Sequence, residues 1–212
     1  MVGTITALKF QKNNKERVSV YLDGAYAFGL DALEAARLHK GQVLSDTEIA
    51  SLKAQDEQNQ AFNRAVRFLS YRPRSRAEVE RYLRDKATAP EVVPTVVARL
   101  EQAGYLDDEE FARFWVEDRE RFRPRSQHAL RYELRQKGVS DAIISQTLEG
   151  SDDEAAAWQA IQGRLPRWAH LPQEQFLQKA ASFLGRRGFG YGTISRTVQR
   201  AWQSNLDEEN MQ

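Results

Sequence analysis

The chain has 212 residues, 41% of them apolar, enough for a packed core and for one large or two modest domains. It contains no cysteine, which excludes disulfide and thiolate chemistry, and its net charge of +1 offers no global argument for a polyanionic partner. No segment reaches the roughly 18 consecutive apolar residues of a membrane span, and Met1 to Phe10 lacks a secretion signal, so a cytoplasmic protein without membrane association is expected.

Residues 4 to 30 read as a three-stranded meander. Val18, Val20 and Leu22 alternate, Asn13-Asn14 separates two strands, and Asp23-Gly24 is a two-residue hairpin signal. One face of such a meander needs a cover, and the segment from Asp31, as helix cap, through Leu33 and Leu38 to Gly41 is the expected lid. Ser45-x-x-Glu48 is a capping box for a second helix through Ile49 and Leu52. The polar stretch Lys53 to Gln60 is either its continuation or a linker, and a domain boundary is placed there.

From Ala61 the apolar period changes from two to about 3.6. Phe62, Ala65, Val66 and Leu69 make a first helical stripe. Ser75-x-x-Glu78 caps a second helix carrying Val79 and Leu83. A third helix has Pro94 in its first turn, Val93, Val96, Val97 and Leu100 on one face, and Gly104 as its stop. The plan then repeats 51 residues on: Arg72-Pro73-Arg74-Ser75 recurs as Arg123-Pro124-Arg125-Ser126, and Leu83-Arg84-Asp85-Lys86 as Leu134-Arg135-Gln136-Lys137. The second copy places Phe111, Trp115 and Phe122 on its first helix, Leu130 and Leu134 on its second, and Ile143, Ile144 and Leu148 on its third, with Ser140 as N-cap. A third, worn copy begins at the capping box Ser151-x-x-Glu154. It is interrupted by Arg164 to Pro172 and resumes with Phe176, Ala180 and Leu184. Beyond Ser204 the tail is polar and acidic and is expected to fray. The expected domains are thus residues 1–55, strand-rich; 56–106, 107–150 and 151–204, three-helix repeats; and 205–212, a tail.

Residues able to do acid–base, nucleophilic or metal chemistry are sparse. His39, His128 and His170 stand alone, without a ligand partner at metal-binding spacing. Asp107-Asp108-Glu109-Glu110 opens a helix, where carboxylates are favoured by the dipole, so a structural role outweighs a magnesium site. The glycines 185, 188, 190 and 192 follow a helix rather than a strand and lack the Lys-Ser/Thr of a phosphate loop, and read as an interhelix turn. No catalytic residue, metal or cofactor is expected. Charge, by contrast, is clustered. Eight Arg or Lys between Arg64 and Lys86 face Glu78, Glu80 and Asp85, and seven between Arg119 and Lys137 face Glu120 and Glu133. Arginine-rich helical faces are commonly just solvated. Here, however, Arg72, Arg74, Arg84 and Lys86 recur as Arg123, Arg125, Arg135 and Lys137, which a solvated face does not require. Aligned along stacked units, they would form a stripe for the phosphates of an extended polyanion, with Arg186 and Arg187 extending it. The alternative is pairing with acids of their own helices, such as Glu120. Of the four tryptophans, Trp115, Trp158 and Trp202 read as core, and Trp168, in the irregular insertion, as the candidate for exposure.

Gly104-Tyr105-Leu106-Asp107-Asp108 with Phe111-Ala112, then Pro124-Arg125-Ser126 with Leu130, Glu133-Leu134, Lys137-Gly138-Val139, resembles the signature of the RecX family, regulators of the RecA recombinase. The resemblance covers about residues 60 to 202. It departs in the third repeat, where Arg-Pro-Arg-Ser is missing, and at the N-terminus, where the strand module looks like the extension of longer members. It implies a mainly α fold of tandem three-helix, helix-turn-helix-like repeats in an elongated curved body, preceded by the β-meander and helix module. It also implies a non-enzymatic monomer that binds the RecA–DNA nucleoprotein filament, lies along its groove and restrains filament growth, ATP hydrolysis, strand exchange and repressor cleavage. Single-stranded and double-stranded DNA are the implied nucleic-acid partners. A free-standing multi-helix DNA-binding regulator is the alternative.

Overall fold

The computed structural model describes the backbone of residues 2–210 and the side chains of residues 2–206. The chain divides into two compact units, one of residues 1–72 with 79–106, the other of residues 73–78 with 107–212.

In the first unit, β1 (Val2–Gln11), β2 (Asn14–Leu22) and β3 (Ala25–Asp31) form the expected meander, and a short β4 (Val43–Ser45) adds a fourth strand in the order β3-β2-β1-β4, all neighbours antiparallel. The turn between β2 and β3 holds Asp23 and Gly24 both at positive φ, 50° and 88°, the geometry that matches strand twist in a two-residue hairpin. Ile5, Val18, Val20, Phe28 and Leu30 bury one face of the sheet, covered by Ala35 of α1 (Ala32–Ala35) and by Ile49 and Leu52 of α2 (Asp46–Leu69). The lid differs from expectation at Leu33, which is 81% exposed. The helix is a single turn capped by Asp31, so Ala32 and Ala35 pack on the sheet while Leu33 faces away, and Leu38 beyond them completes the cover.

Helix α2 begins at the Ser45–Glu48 capping box and runs unbroken through the polar stretch, so the boundary placed between residues 55 and 56 falls in mid-helix. Polar residues persist there because they are used. Asp56 is buried and takes both guanidinium nitrogens of Arg17, at 3.0 and 2.8 Å, with Gln60 Nε2 donating a third bond at 2.6 Å. Asp56 raises the Arg17 pKa above its ordinary value, mainly through the hydrogen bonds. The C-terminal half of α2 packs Ala61 and Ala65 against Val79 and Leu83 of α3 (Arg76–Asp85) and Val93, Val96, Val97 and Leu100 of α4 (Val92–Gln102), giving the first three-helix core.

The second unit carries two further helical cores. Phe111, Ala112 and Val116 of α5 (Asp108–Phe122), Leu130 and Leu134 of α6 (Gln127–Gln136), and Ile144 of α7 (Asp141–Thr147), with Leu148 just beyond, make one. Phe122, expected on this stripe, is 70% exposed because it lies in the last turn of α5, past the core. The other core joins α8 (Asp153–Gln162), α9 (Leu165–Trp168), α10 (Gln173–Gly185) and α11 (Tyr191–Asn210) through Ala157, Ile161, Phe176, Ala180, Leu184 and Val198. Two expectations are corrected here. The N-cap of α8 is Asp152, which accepts from the amides of Glu154 and Ala155, and not Ser151. The chain also continues as helix past Ser204 to Asn210, held at Asn205, whose buried amide donates to the Ala169 carbonyl at 3.1 Å; residues 211 and 212 lie outside the described residues.

Two like joints sit at the repeated Arg-Pro-Arg-Ser sites. Ser75 and Ser126 are fully buried. Each accepts from an amide in the first turn of its helix, that of Glu78 at 3.2 Å and of Ala129 at 3.1 Å. Each also donates to a carbonyl of the next repeat, Lys137 in one joint and Gly188 in the other, the latter at 2.7 Å. A carboxylate completes each joint: Asp108 accepts from the Arg76 amide and Asp153 from the Gln127 amide, both at 2.7 Å. The docked turns require glycine. Gly138 and Gly188 have φ of +79° and +89°; a Cβ on Gly138 would collide with the Ala77 methyl, and one on Gly188 would lie 2.7 Å from that of Ala129.

Candidate nucleic-acid interface

The ten basic residues singled out by repetition do not share one environment. Arg84, at the end of α3, is exposed and bonded to Glu80 one turn earlier at 3.0 Å, while neighbouring Lys86 lies 5.8 Å from the Tyr82 ring. Arg72 and Arg74, on the loop into α3, are half-buried. Arg135 is bonded to Asp141 at 2.7 Å, and that hydrogen bond holds the Asp141 carboxyl below the usual carboxylate range. Lys137 donates to Glu78 at 3.0 Å and sits 4.8 Å from the Trp115 ring centre. Arg125 Nε is 2.9 Å from Glu133 Oε1, an ion-pair contact without hydrogen-bond alignment. Glu133 also accepts from Trp115 Nε1 and Arg119. Arg84, Arg125, Arg135 and Lys137 are therefore wholly or partly neutralised by acids close at hand, and Glu133 takes the place the sequence suggested for Glu120.

Four of the ten, Arg125 included, converge. Arg123 and Arg125, on the linker between α5 and α6, meet Arg186 and Arg187, at the end of α10, around a cleft of about 630 Å³. The same cleft receives Arg164 and Arg167 from α9 and the residue before it, and Lys179 from the middle of α10. Among the described residues, seven cationic side chains line it and no carboxylate does. Among the described residues, Arg123, Arg164, Arg167, Lys179 and Arg186 make no ion pair. Arg187 is fixed by donating to the Pro124 carbonyl at 2.8 Å and by lying over the Phe183 ring, 4.6 Å from its centre. Burial first, and then the charges of Arg123, Arg125 and Arg164, hold Arg187 below the ordinary arginine pKa.

Arg164, Arg167 and Lys179 were missed because they have no counterparts in the earlier repeats. The usable signal was helical spacing: Lys179 and Arg186 are two turns apart on one face of α10, and Arg164 and Arg167 one turn apart. Trp168, expected to be exposed, is 6% exposed, its ring packed edge-on against Phe176 and Phe183. The insertion folds as a helical turn that inserts this ring into the third core, leaving the flanking arginines outside. Among the described residues there is no group of three His, Asp or Glu placed to hold a metal ion, and no helix long and apolar enough to cross a membrane.

Three family models match: the RecX N-terminal domain over residues 3–45, the first RecX three-helix domain over 61–100, and the second over 107–148. Regulatory protein RecX of Bacillus subtilis is 36% identical over 210 residues, 97% of this chain and 79% of that protein. The chain belongs to the RecX family of regulatory proteins. The RecX of Bacillus velezensis is 34% identical over 98% of this chain and 81% of its own length. A crystal structure of regulatory protein RecX superposes with a TM-score of 0.71 at 26% identity, covering 93% of this chain and 99% of that one. RecX from Lactobacillus salivarius, at 22% identity and a TM-score of 0.60, shares the fold over 69% of this chain. The mainly helical architecture of tandem three-helix domains behind a small antiparallel strand module is thus that of the family.

Proposed function

We propose that this chain is a non-enzymatic, cytoplasmic modulator of the RecA recombinase, which binds the RecA–DNA nucleoprotein filament and restrains its growth, ATP hydrolysis and strand exchange in DNA repair and recombination. Membership of a regulatory family supports the regulatory role. The observation that carries the nucleic-acid part is the meeting of Arg123, Arg125, Arg186 and Arg187 in one cleft that, among the described residues, no carboxylate lines. Guanidinium groups held there offer forked donors to phosphate oxygens and gain from the release of counterions on binding. Regulation of this kind needs no acid, base or nucleophile. A body that holds the DNA backbone and a recombinase protomer together obstructs the next subunit or locks its neighbours in an unproductive arrangement.

The test is a titration of the protein into the single-stranded-DNA-stimulated ATPase of RecA. ATP turnover should slow in proportion to protein added, while the protein alone hydrolyses nothing; an unchanged rate at saturation overturns the reading. The same cleft also favours a second reading, a free-standing DNA-binding regulator. Affinity for single-stranded DNA that does not rise when recombinase and ATP are present would favour that alternative.

A further inference from the structure

The cleft of the second unit concentrates positive charge around a small volume, and its walls suit a compact guest. A nucleic-acid strand brings one negative charge per nucleotide, spaced along an extended chain. Seven cations, by contrast, surround a cavity of about 630 Å³, within the roughly 300–1,000 Å³ of small-molecule sites. Among the described residues, the cleft offers no aromatic face to a base. Trp168 is buried, and Phe183 is overlaid by the guanidinium groups of Arg164 and Arg187, at 5.6 and 4.6 Å from its centre. The site therefore distinguishes its ligand by density of negative charge and not by stacking.

The walls are also set in advance. Arg187 is anchored on the Pro124 carbonyl and on Phe183, and the Arg123–Arg125 segment is stapled to the end of α10 by Ser126, whose amide donates to the Arg187 carbonyl at 3.2 Å and whose hydroxyl donates to that of Gly188. Two segments that are distant in sequence are thus held so that their charges oppose one another across a gap. Glu133 offsets one of these charges, at Arg125, and the repulsion that remains adds to burial in depressing the Arg187 pKa. A compact anion relieves it, so binding stabilises the fold.

We propose that this cleft is an oligophosphate site, taking a di- or triphosphate chain either free or as the tail of a nucleoside triphosphate. Because Arg123, Arg125, Arg186 and Arg187 belong to it, such a ligand competes with DNA backbone for the same cations and regulates the nucleic-acid contact. This deepens the proposed function and rests on it only for the competition; the binding itself does not.

The experiment is calorimetric titration of the whole chain, without recombinase, with sulfate, pyrophosphate, tripolyphosphate and ATP at physiological salt. Affinity should rise from sulfate to tripolyphosphate, with saturable one-to-one binding of the last. ATP matching tripolyphosphate identifies the nucleotide tail as the source, and tripolyphosphate binding far better than ATP identifies the free chain. Arg167→Ala with Lys179→Ala, both exposed residues, should weaken tripolyphosphate by about tenfold or more and abolish its thermal stabilisation of the protein. Arg113→Ala with Arg121→Ala, which removes equal charge elsewhere in the unit, should change neither. Equal, unsaturable binding of all four anions, or loss of affinity in both double variants alike, would show only diffuse attraction and overturn the proposal. Either result leaves the RecA reading intact, since that is decided by the ATPase titration. Conversely, one-to-one tripolyphosphate binding with no effect on recombinase ATPase sustains the site and removes the regulatory role.

Discussion

The two serine joints of the second unit share one design and differ in charge. In each, a buried serine caps a helix, grips the carbonyl of a docked turn and requires a glycine in that turn. The residue before that glycine is basic in both, Lys137 in one and Arg187 in the other. Three residues after the serine, however, the first joint has Glu78 and the second has Ala129. Glu78 bonds Lys137 at 3.0 Å; Arg187 finds a backbone carbonyl instead, with Arg123 and Arg125 near by. The exchange of Glu78 for Ala129 removes the carboxylate that neutralises the basic residue of the turn, and Arg164, Arg167 and Lys179, which have no counterparts at the first joint, add to the positive charge at the second. Basic residues that match in sequence are therefore not equivalent, and the local supply of carboxylate decides which of them are available to a polyanion.

The shared part of the design should give the largest effects. Gly188→Ala and Gly138→Ala each add a left-handed alanine and a steric collision, and should cost about 2–4 kcal/mol in urea unfolding. Gly104→Ala, at φ +71° with nothing within 4 Å of the added methyl, should cost only about 1–2 kcal/mol. Equal losses at all three positions would mean that the turns are not docked closely. Ser126→Ala should come next, at about 1–2 kcal/mol, since it leaves the Ala129 amide and the Gly188 carbonyl without their hydroxyl partner.

Next come the substitutions that separate the joints. Lys137→Met takes the ammonium away from half-buried Glu78 and should cost about 1 kcal/mol or more. Arg187→Met loses one carbonyl bond but relieves like-charge repulsion, so stability should change by under about 0.5 kcal/mol while DNA affinity falls. Matching losses of stability would erase the distinction between the joints. The smallest effect on folding belongs to Arg123→Glu with Arg186→Glu, two exposed side chains without ion pairs among the described residues. Their melting temperature should stay level, while the salt slope of single-stranded DNA binding falls by about 0.7 for each phosphate no longer engaged. Arg125→Glu is unsuitable for this purpose, because it would set a second carboxylate against Glu133 and confound binding with stability.

Local chemistry was legible wherever one short segment determined the outcome. Asp23-Gly24 specified its turn, Ser45, Ser75, Ser126 and Ser140 specified helix starts, and the valines of α4 specified a buried face. Three-residue β4 left no periodic trace, and Leu33 was misread because a single helical turn presents too few residues to define a face. The candidate interface was half legible. Repetition found Arg123, Arg125, Arg186 and Arg187, yet could not reveal that Lys137 faces Glu78, 59 residues away, or that Trp168 turns inward and leaves Arg164 and Arg167 outside. Those facts depend on which segments meet, and the periodicity of a single stretch of sequence carries no information about that.

Ala87 occupies in the first repeat the position of Gly138 and Gly188, at φ +54°, and it is exposed. At the other extreme, α10 is preceded by Pro172, which lacks the hydroxyl that Ser75 and Ser126 offer a following turn. The first turn is thus free to carry a methyl because it is exposed, and the last helix start has no hydroxyl with which to grip a further turn. Glycine and hydroxyl behave as the two halves of one clasp: where the turn lies open, as at Ala87, a methyl is admitted in place of the glycine.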